Sequence, residues 1–265
     1  EWESFAKDSL QGILCKPENF DPSQKYPMLV YFYEKRSDNL NRYNIPSPIA
    51  TVINWSYCVS NGYLVFIPDV VFRKGEPGAS SYDAVVSGVK SLIDRYDFID
   101  KDRIALNGHS WGGYQIAFLV TRTNMFKAAV SGAPVVNMTS AYGGIRWESG
   151  KSRMFQYEQT QSRIGGTLWD KLAEFIRNSP LFFLPQVQTP VLIMHNDKDG
   201  SVMWEQGIEF FMALRRLDKP VWLFNYKGEG HHLKKWENRL DYSRRVMEFY
   251  DYYLKDGKKP EWMKS

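Results

Sequence analysis

Cysteine is scarce in this sequence: Cys15 and Cys58 are the only two in 265 residues. Neither lies in a C-x-x-C spacing, which excludes zinc-ribbon and dithiol redox motifs and leaves the pairing of the two open. No apolar run reaches transmembrane length, and no signal-peptide pattern, internal repeat or low-complexity tract is found. The chain begins with Glu1 rather than Met, so processing or excision from a longer protein is expected. Charge of one sign is missing as well: 34 basic against 30 acidic residues leave a net charge of +4. The basic residues are scattered, the densest clusters being pairs such as Arg215-Arg216 and Lys234-Lys235. A solvated surface accounts for them, so neither nucleic acid nor an anionic membrane is an expected partner. Ser149-Gly150-Lys151-Ser152 resembles the end of a P-loop, but Ile145 stands where its first glycine is needed and no strand precedes it. No metal and no cofactor are expected.

What is present fits one large domain. Hydrophobic residues make up 43% and aromatic residues 15%, enough for a substantial core. Short apolar runs bounded by turn residues predict strands over Met28–Tyr33, Leu64–Ile67, Ile104–Leu106, Ala128–Val130, Val191–Met194 and Val221–Phe224. They are apolar on both faces, as buried parallel strands are. Between them, helical spacing predicts helices over Tyr82–Tyr96, Trp111–Thr121, Asp170–Asn178, Trp204–Leu217 and Trp236–Leu254. The alternation argues for an α/β fold: a doubly wound, mostly parallel sheet with helices on both faces. Residues 136–169, rich in Gly, Ser, Thr, Tyr and Arg, break the rhythm and read as an insertion over the sheet, a lid.

Gly108-His109-Ser110-Trp111-Gly112 matches G-x-S-x-G. Chance supplies the five letters in roughly one chain in ten of this length, so context decides. A predicted strand ends just before the motif and a buried helix begins just after it. That places Ser110 on a sharp turn whose flanking positions must be small. A serine nucleophile needs a base to take its proton. Of four histidines, His109 precedes the serine and His195 closes a strand. His231 and its neighbour His232 lie in a loop after the last strand, and Asp199, with Asp197 as the competing acid, lies in the loop after the strand before. Such loops converge on one sheet edge, so Ser110, Asp199 and His231 are expected to meet there as nucleophile, orienting acid and general base.

These segments resemble the prolyl oligopeptidase family. Gly108-His109-Ser110-Trp111-Gly112-Gly113-Tyr114 is similar to its G-x-S-x-G-G-Y signature, and His195-Asn196-Asp197-Lys198-Asp199 with Val202 to its H-G-x-x-D-x-x-V segment. Tyr26-Pro27 and the following strand ending in Tyr33 resemble the strand carrying an oxyanion tyrosine in the dipeptidyl peptidase IV-like branch. The resemblance runs from about Tyr26 to Leu254. It implies the α/β-hydrolase fold, with residues 1–265 as an isolated catalytic domain, and an acyl-enzyme serine peptidase acting on short peptides. Tyr33 and the Trp111 amide would stabilise the oxyanion, each by about 3–4 kcal/mol. Trp111, Val135 of Ala133-Pro134-Val135, Met138, Tyr142 and Val202 would line the pocket for the residue before the scissile bond. Two departures stand out. Asn196 replaces the usual glycine, and the family's N-terminal β-propeller has no counterpart, so that partner is expected in a longer parent protein. The resemblance favours export, periplasmic or extracellular, over the cytoplasm and leaves a homodimer open. A stand-alone esterase or acylaminoacyl hydrolase would use the same triad, and a silent hydrolase-fold binding domain is the reading from another class.

Overall fold

A computed structural model describes residues 1–264. Two strand pairs stand apart from the main sheet: β1 (Trp2–Glu3) with β2 (Ser9–Leu10), and β8 (Ile145–Arg146) with β9 (Lys151–Ser152). The main sheet comprises β3 (Gly12–Cys15), β4 (Tyr26–Tyr31), β5 (Leu64–Pro68), β6 (Ile99–His109), β7 (Ala128–Gly132), β10 (Val191–Met194) and β11 (Val221–Phe224). Its order is β11-β10-β7-β6-β4-β5-β3. Only the edge strand β3 is antiparallel to its neighbour; every other pairing is parallel.

Residue alternation along each strand divides the core into two layers. Met28, Val30, Leu64, Phe66, Ile104, Leu106, Val191 and Ile193 face one side. There they pack with α2 (Pro77–Arg95), α3 (Trp111–Val120) and α7 (Glu205–Arg216). Leu29, Tyr31, Val65, Ile67, Ala105, Val130, Leu192 and Met194 face the other. Their partners lie on α1 (Trp55–Ser60) and α8 (Trp236–Leu254). Burying both faces of a parallel sheet is why its strands read as near-continuous apolar runs. Strands with helices on both faces, and a strand-to-helix elbow after the central strand β6, make this the α/β-hydrolase fold.

Several boundaries differ from the sequence expectation for physical reasons. β6 begins at Ile99, because Tyr26 pairs with Ile99 before an irregularity shifts the register to Met28–Ile104. The charged residues Asp100 to Arg103 on that stretch hid it from an apolar-run criterion. β4 ends at Tyr31, so Tyr33 lies two residues beyond the strand. α2 starts five residues earlier than expected, with Pro77 in its first turn, where its fixed φ and missing N–H are favourable. A Cβ on Gly78 would sit 2.3 Å from the Phe118 ring of α3, so the absence of a side chain allows the two helices to close. β3 and α1 were not anticipated; Asn54 caps α1 by accepting from the Tyr57 amide at 2.9 Å. Residues 136–169 hold α4 (Met138–Tyr142), the β8–β9 hairpin and α5 (Met154–Glu158), and α6 (Leu172–Arg177) follows. Both cysteines are free thiols, and burial pushes the Cys58 thiol up to about 12. Among the described residues no helix is long and apolar enough to cross a membrane.

Candidate active site

Ser110 sits between β6 and α3 with φ 58° and ψ −116°, a strained conformation for a residue with a side chain. The turn is closed by contacts that leave no room at its glycines. A Cβ on Gly108 would lie 2.8 Å from the Gly112 carbonyl carbon, and one on Gly112 would lie 2.8 Å from the Phe32 oxygen. The Ser110 amide donates to Gly132 O at 2.8 Å, which ties the turn to β7. Trp111 opens α3, where the first amides have no intrahelical acceptor and point outward as donors. Gln115, one turn on, donates to the Tyr33 carbonyl at 2.6 Å and fixes the backbone of residue 33 beside the elbow.

Asp199 and His231 come from the loops after β10 and β11. His231 Nδ1 and Asp199 Oδ2 are 2.7 Å apart, and both residues are buried. Asp199 Oδ1 accepts the backbone amides of Ser201 at 2.8 Å and Val202 at 2.9 Å. His195, which closes β10, donates from Nε2 to Val202 O at 3.1 Å, and the same nitrogen lies 3.3 Å from Asp199 Oδ2. Burial disfavours charge on Asp199, but the hydrogen bonds from His195 and His231, with the attraction of the two rings, outweigh it. Its carboxyl is held far below the usual carboxylate range. With Nδ1 committed to the acid, Nε2 of His231 is the nitrogen left to receive a proton. Ser110 Oγ makes no hydrogen bond among the described residues.

The competing residues are disposed differently. Asp197 is half-buried and accepts from the Gly228 amide at 2.7 Å, shaping the loop before His231. His232 is exposed and has no carboxylate partner among the described residues. His109 is buried, its ring 4.6 Å from that of His231. Burial, reinforced by the neighbouring imidazoles, pushes the His109 pKa well below its ordinary value, so it stands as a neutral wall beside His231.

The loops themselves are bound together. Asn196 Nδ2 donates to Gly230 O at 2.8 Å, and Asn196 Oδ1 accepts the Tyr226 amide at 3.1 Å. The residue that departs from the family pattern thus bridges the acid loop to the histidine loop, contacts a glycine lacks. Buried Glu229 accepts the amides of Lys234 and Lys235, both at 2.9 Å, and Asn238 Nδ2 at 2.7 Å.

Trp111, Val135, Met138, Tyr142 and Val202 all fall in one apolar cluster, with Tyr33 packed against it. Met138 and Tyr142 are buried within it, at 0% and 2% exposure. Tyr157, Ile164 and Phe175 also belong to the cluster and were missed. They lie in or just beyond the irregular segment, where no periodicity singles them out. The second histidine on Asp199 was also missed, although the four-residue spacing to His195 was a usable signal.

The chain matches the description "Prolyl oligopeptidase family" over residues 53–257. It is 26% identical to dipeptidyl-peptidase 5 of Aspergillus oryzae over 260 residues, 92% of this chain and 34% of that protein. It is likewise 26% identical to dipeptidyl peptidase 8 of Homo sapiens over 262 residues, 94% of this chain and 27% of that one. The chain therefore spans about a third or less of the curated relatives it matches. The crystal structure of Porphyromonas gingivalis dipeptidyl peptidase 4 superposes with a TM-score of 0.75, covering 95% of this chain and 35% of that one; at 22% identity this likeness is one of fold.

Proposed function

The chain belongs to the prolyl oligopeptidase family, and on that premise we propose that it is the catalytic domain of a serine peptidase cleaving short peptides through an acyl-enzyme on Ser110. The observation that carries the reading is the 2.7 Å Asp199–His231 pair, whose imidazole packs against the residue next to Ser110. In this scheme Ser110 Oγ attacks the scissile carbonyl carbon while its proton passes to His231 Nε2. Asp199 stays ionised, fixes the tautomer and stabilises the imidazolium. Negative charge on the carbonyl oxygen is met by the Tyr33 hydroxyl and the Trp111 amide. Collapse breaks the C–N bond, and the imidazolium proton goes to the leaving amine. Water then attacks the acyl-serine, giving its proton to His231; collapse breaks the ester bond, the imidazolium returns a proton to Ser110 Oγ, and the acid product leaves. The cluster around Trp111, Val135 and Val202 is the proposed seat of the side chain before the scissile bond, with residues 136–169 as its cover.

The test is hydrolysis of paired dipeptide p-nitroanilides, amino-free and N-acetylated, by the full-length protein and its Ser110→Ala variant. The reading expects turnover that the variant loses while its circular dichroism is unchanged. Preference for the amino-free substrate marks a dipeptidyl peptidase, preference for the acetylated one an acylaminoacyl hydrolase. Full activity in Ser110→Ala would remove the assignment.

A further inference from the structure

Beyond the residues of the proposed mechanism, we infer that Gln161 is a positioning residue that aims the Tyr33 hydroxyl at the oxyanion. The inference rests on the oxyanion reading of Tyr33 given above. Gln161 Nε2 donates to Tyr33 Oη at 3.1 Å. Gln161 Oε1 accepts from Gln156 Nε2 at 2.7 Å. Gln156 Oε1 in turn accepts from Arg146 Nη1 at 3.4 Å. The other arm of Arg146 donates to Ser201 Oγ at 3.2 Å, and the Ser201 amide donates to Asp199 Oδ1 at 2.8 Å.

The direction of this chain is set at one end. A guanidinium has donors only, so the group of Gln156 that faces Arg146 is its oxygen. Its NH₂ is then turned to Gln161, which must present oxygen in reply and its own NH₂ to Tyr33. Tyr33 Oη is therefore an acceptor at that contact, and its one proton is left to donate elsewhere. An oxygen at that contact would claim the proton and turn it away from substrate. Donors running from a cation also polarise one another in the same sense, which strengthens the hydrogen bond Tyr33 can give.

Neighbouring contacts hold Gln161 in place. Arg163 Nη1 donates to the Gln161 carbonyl at 2.5 Å, and Arg163 Nη2 pairs with Glu34 at 3.3 Å, the residue after Tyr33. The loop carrying the glutamine is thus clamped to the loop carrying the tyrosine. Through Arg146 and Ser201, the same series joins the oxyanion end of the site to the carboxylate end.

The experiment is the rate at which a fluorophosphonate labels Ser110, located by peptide mass, since the phosphonyl oxygen occupies the oxyanion position. Labelling is paired with p-nitrophenyl butyrate hydrolysis in the full-length protein. Gln161→Leu is expected to slow labelling and kcat about tenfold with KM little changed. Gln161→Glu, closer in shape but presenting only acceptors, is expected to slow both further. Gln156→Met, which cuts the link upstream, should give a smaller loss of the same sign. In a Tyr33→Phe background all three should have little further effect. A role in packing alone predicts the reverse order, glutamate milder than leucine, and that result overturns the inference. So do losses that persist undiminished without the tyrosine hydroxyl. If Tyr33→Phe labels like the unmodified protein, the oxyanion reading of Tyr33 fails and this inference with it. Absence of labelling at Ser110 in the unmodified protein sinks the serine-hydrolase proposal itself.

Discussion

Asp199 gathers three hydrogen bonds and one further close contact on one carboxylate: two backbone amides on Oδ1, and on Oδ2 the His231 imidazole, with His195 Nε2 3.3 Å away. Each favours the ionised form, which the proposed mechanism needs throughout its cycle. Asp199→Asn keeps the shape but offers an NH₂ to His231 Nδ1 and reverses the tautomer. Turnover should fall by about 10⁴ with little change in KM, read from the steady-state kinetics of the purified variant. A variant within tenfold of the unmodified protein would show that the carboxylate does not orient the base. Single residues were legible in the sequence where chemistry forces their spacing. Ser110 stood out because its turn demands small flanking residues, and the acid and base loops because they follow successive strands; choosing Asp199 over Asp197 rested mainly on the family resemblance. Gln161 was invisible, because an amide that aims a hydroxyl has no fixed distance along the chain from the group it aims.

At the scale of elements, the site depends on how two loops are joined. Strands β10 and β11 bring residues 194 and 224 level in register, and the loops beyond them meet at Asn196. Asn196 is 1% exposed, so removing its amide leaves Gly230 O and the Tyr226 amide without their partner. Asn196→Ala should lower the free energy of unfolding by about 1–3 kcal/mol, measured as a lower urea midpoint at unchanged slope. An unchanged midpoint would show that the bridge carries no stability. The sheet was legible from its apolar runs, and β10, β11 and α8 fall on their predicted boundaries. Elements whose reason for forming is tertiary were not. The start of β6 is charged, the start of α2 is a Pro-Gly-Ala-Ser run, and α1 is only six residues long. Each is held by what it packs against or caps rather than by its own periodicity.

The whole molecule carries the sum of these local charges into its response to acid. Asp199 is held below the ordinary range against its burial by His195 and His231. Glu229 is held below it, also against burial, by the Lys234 amide, Asn238 and the Lys235 amide. Carboxyls depressed in the folded state stabilise it fully above their unfolded values, near 4, and lose that contribution as pH falls through the folded ones. Buried His109, held neutral in the fold while its unfolded counterpart protonates below about 6.5, should make stability begin to fall below that pH, and the carboxyls should add a steeper decline below about pH 5. Glu229→Gln should flatten the acid limb in urea titrations taken at successive pH values. An identical limb would show that Glu229 is not among the groups responsible. At the elbow, the φ of 58° at Ser110 is imposed by β6, β7 and α3 together. The surrounding scaffold keeps the proposed nucleophile in a posture the backbone would abandon if released. Under the proposed mechanism, durability and reactivity are thus set in opposition at a single residue: relaxing this turn would ease the fold at the cost of the activity.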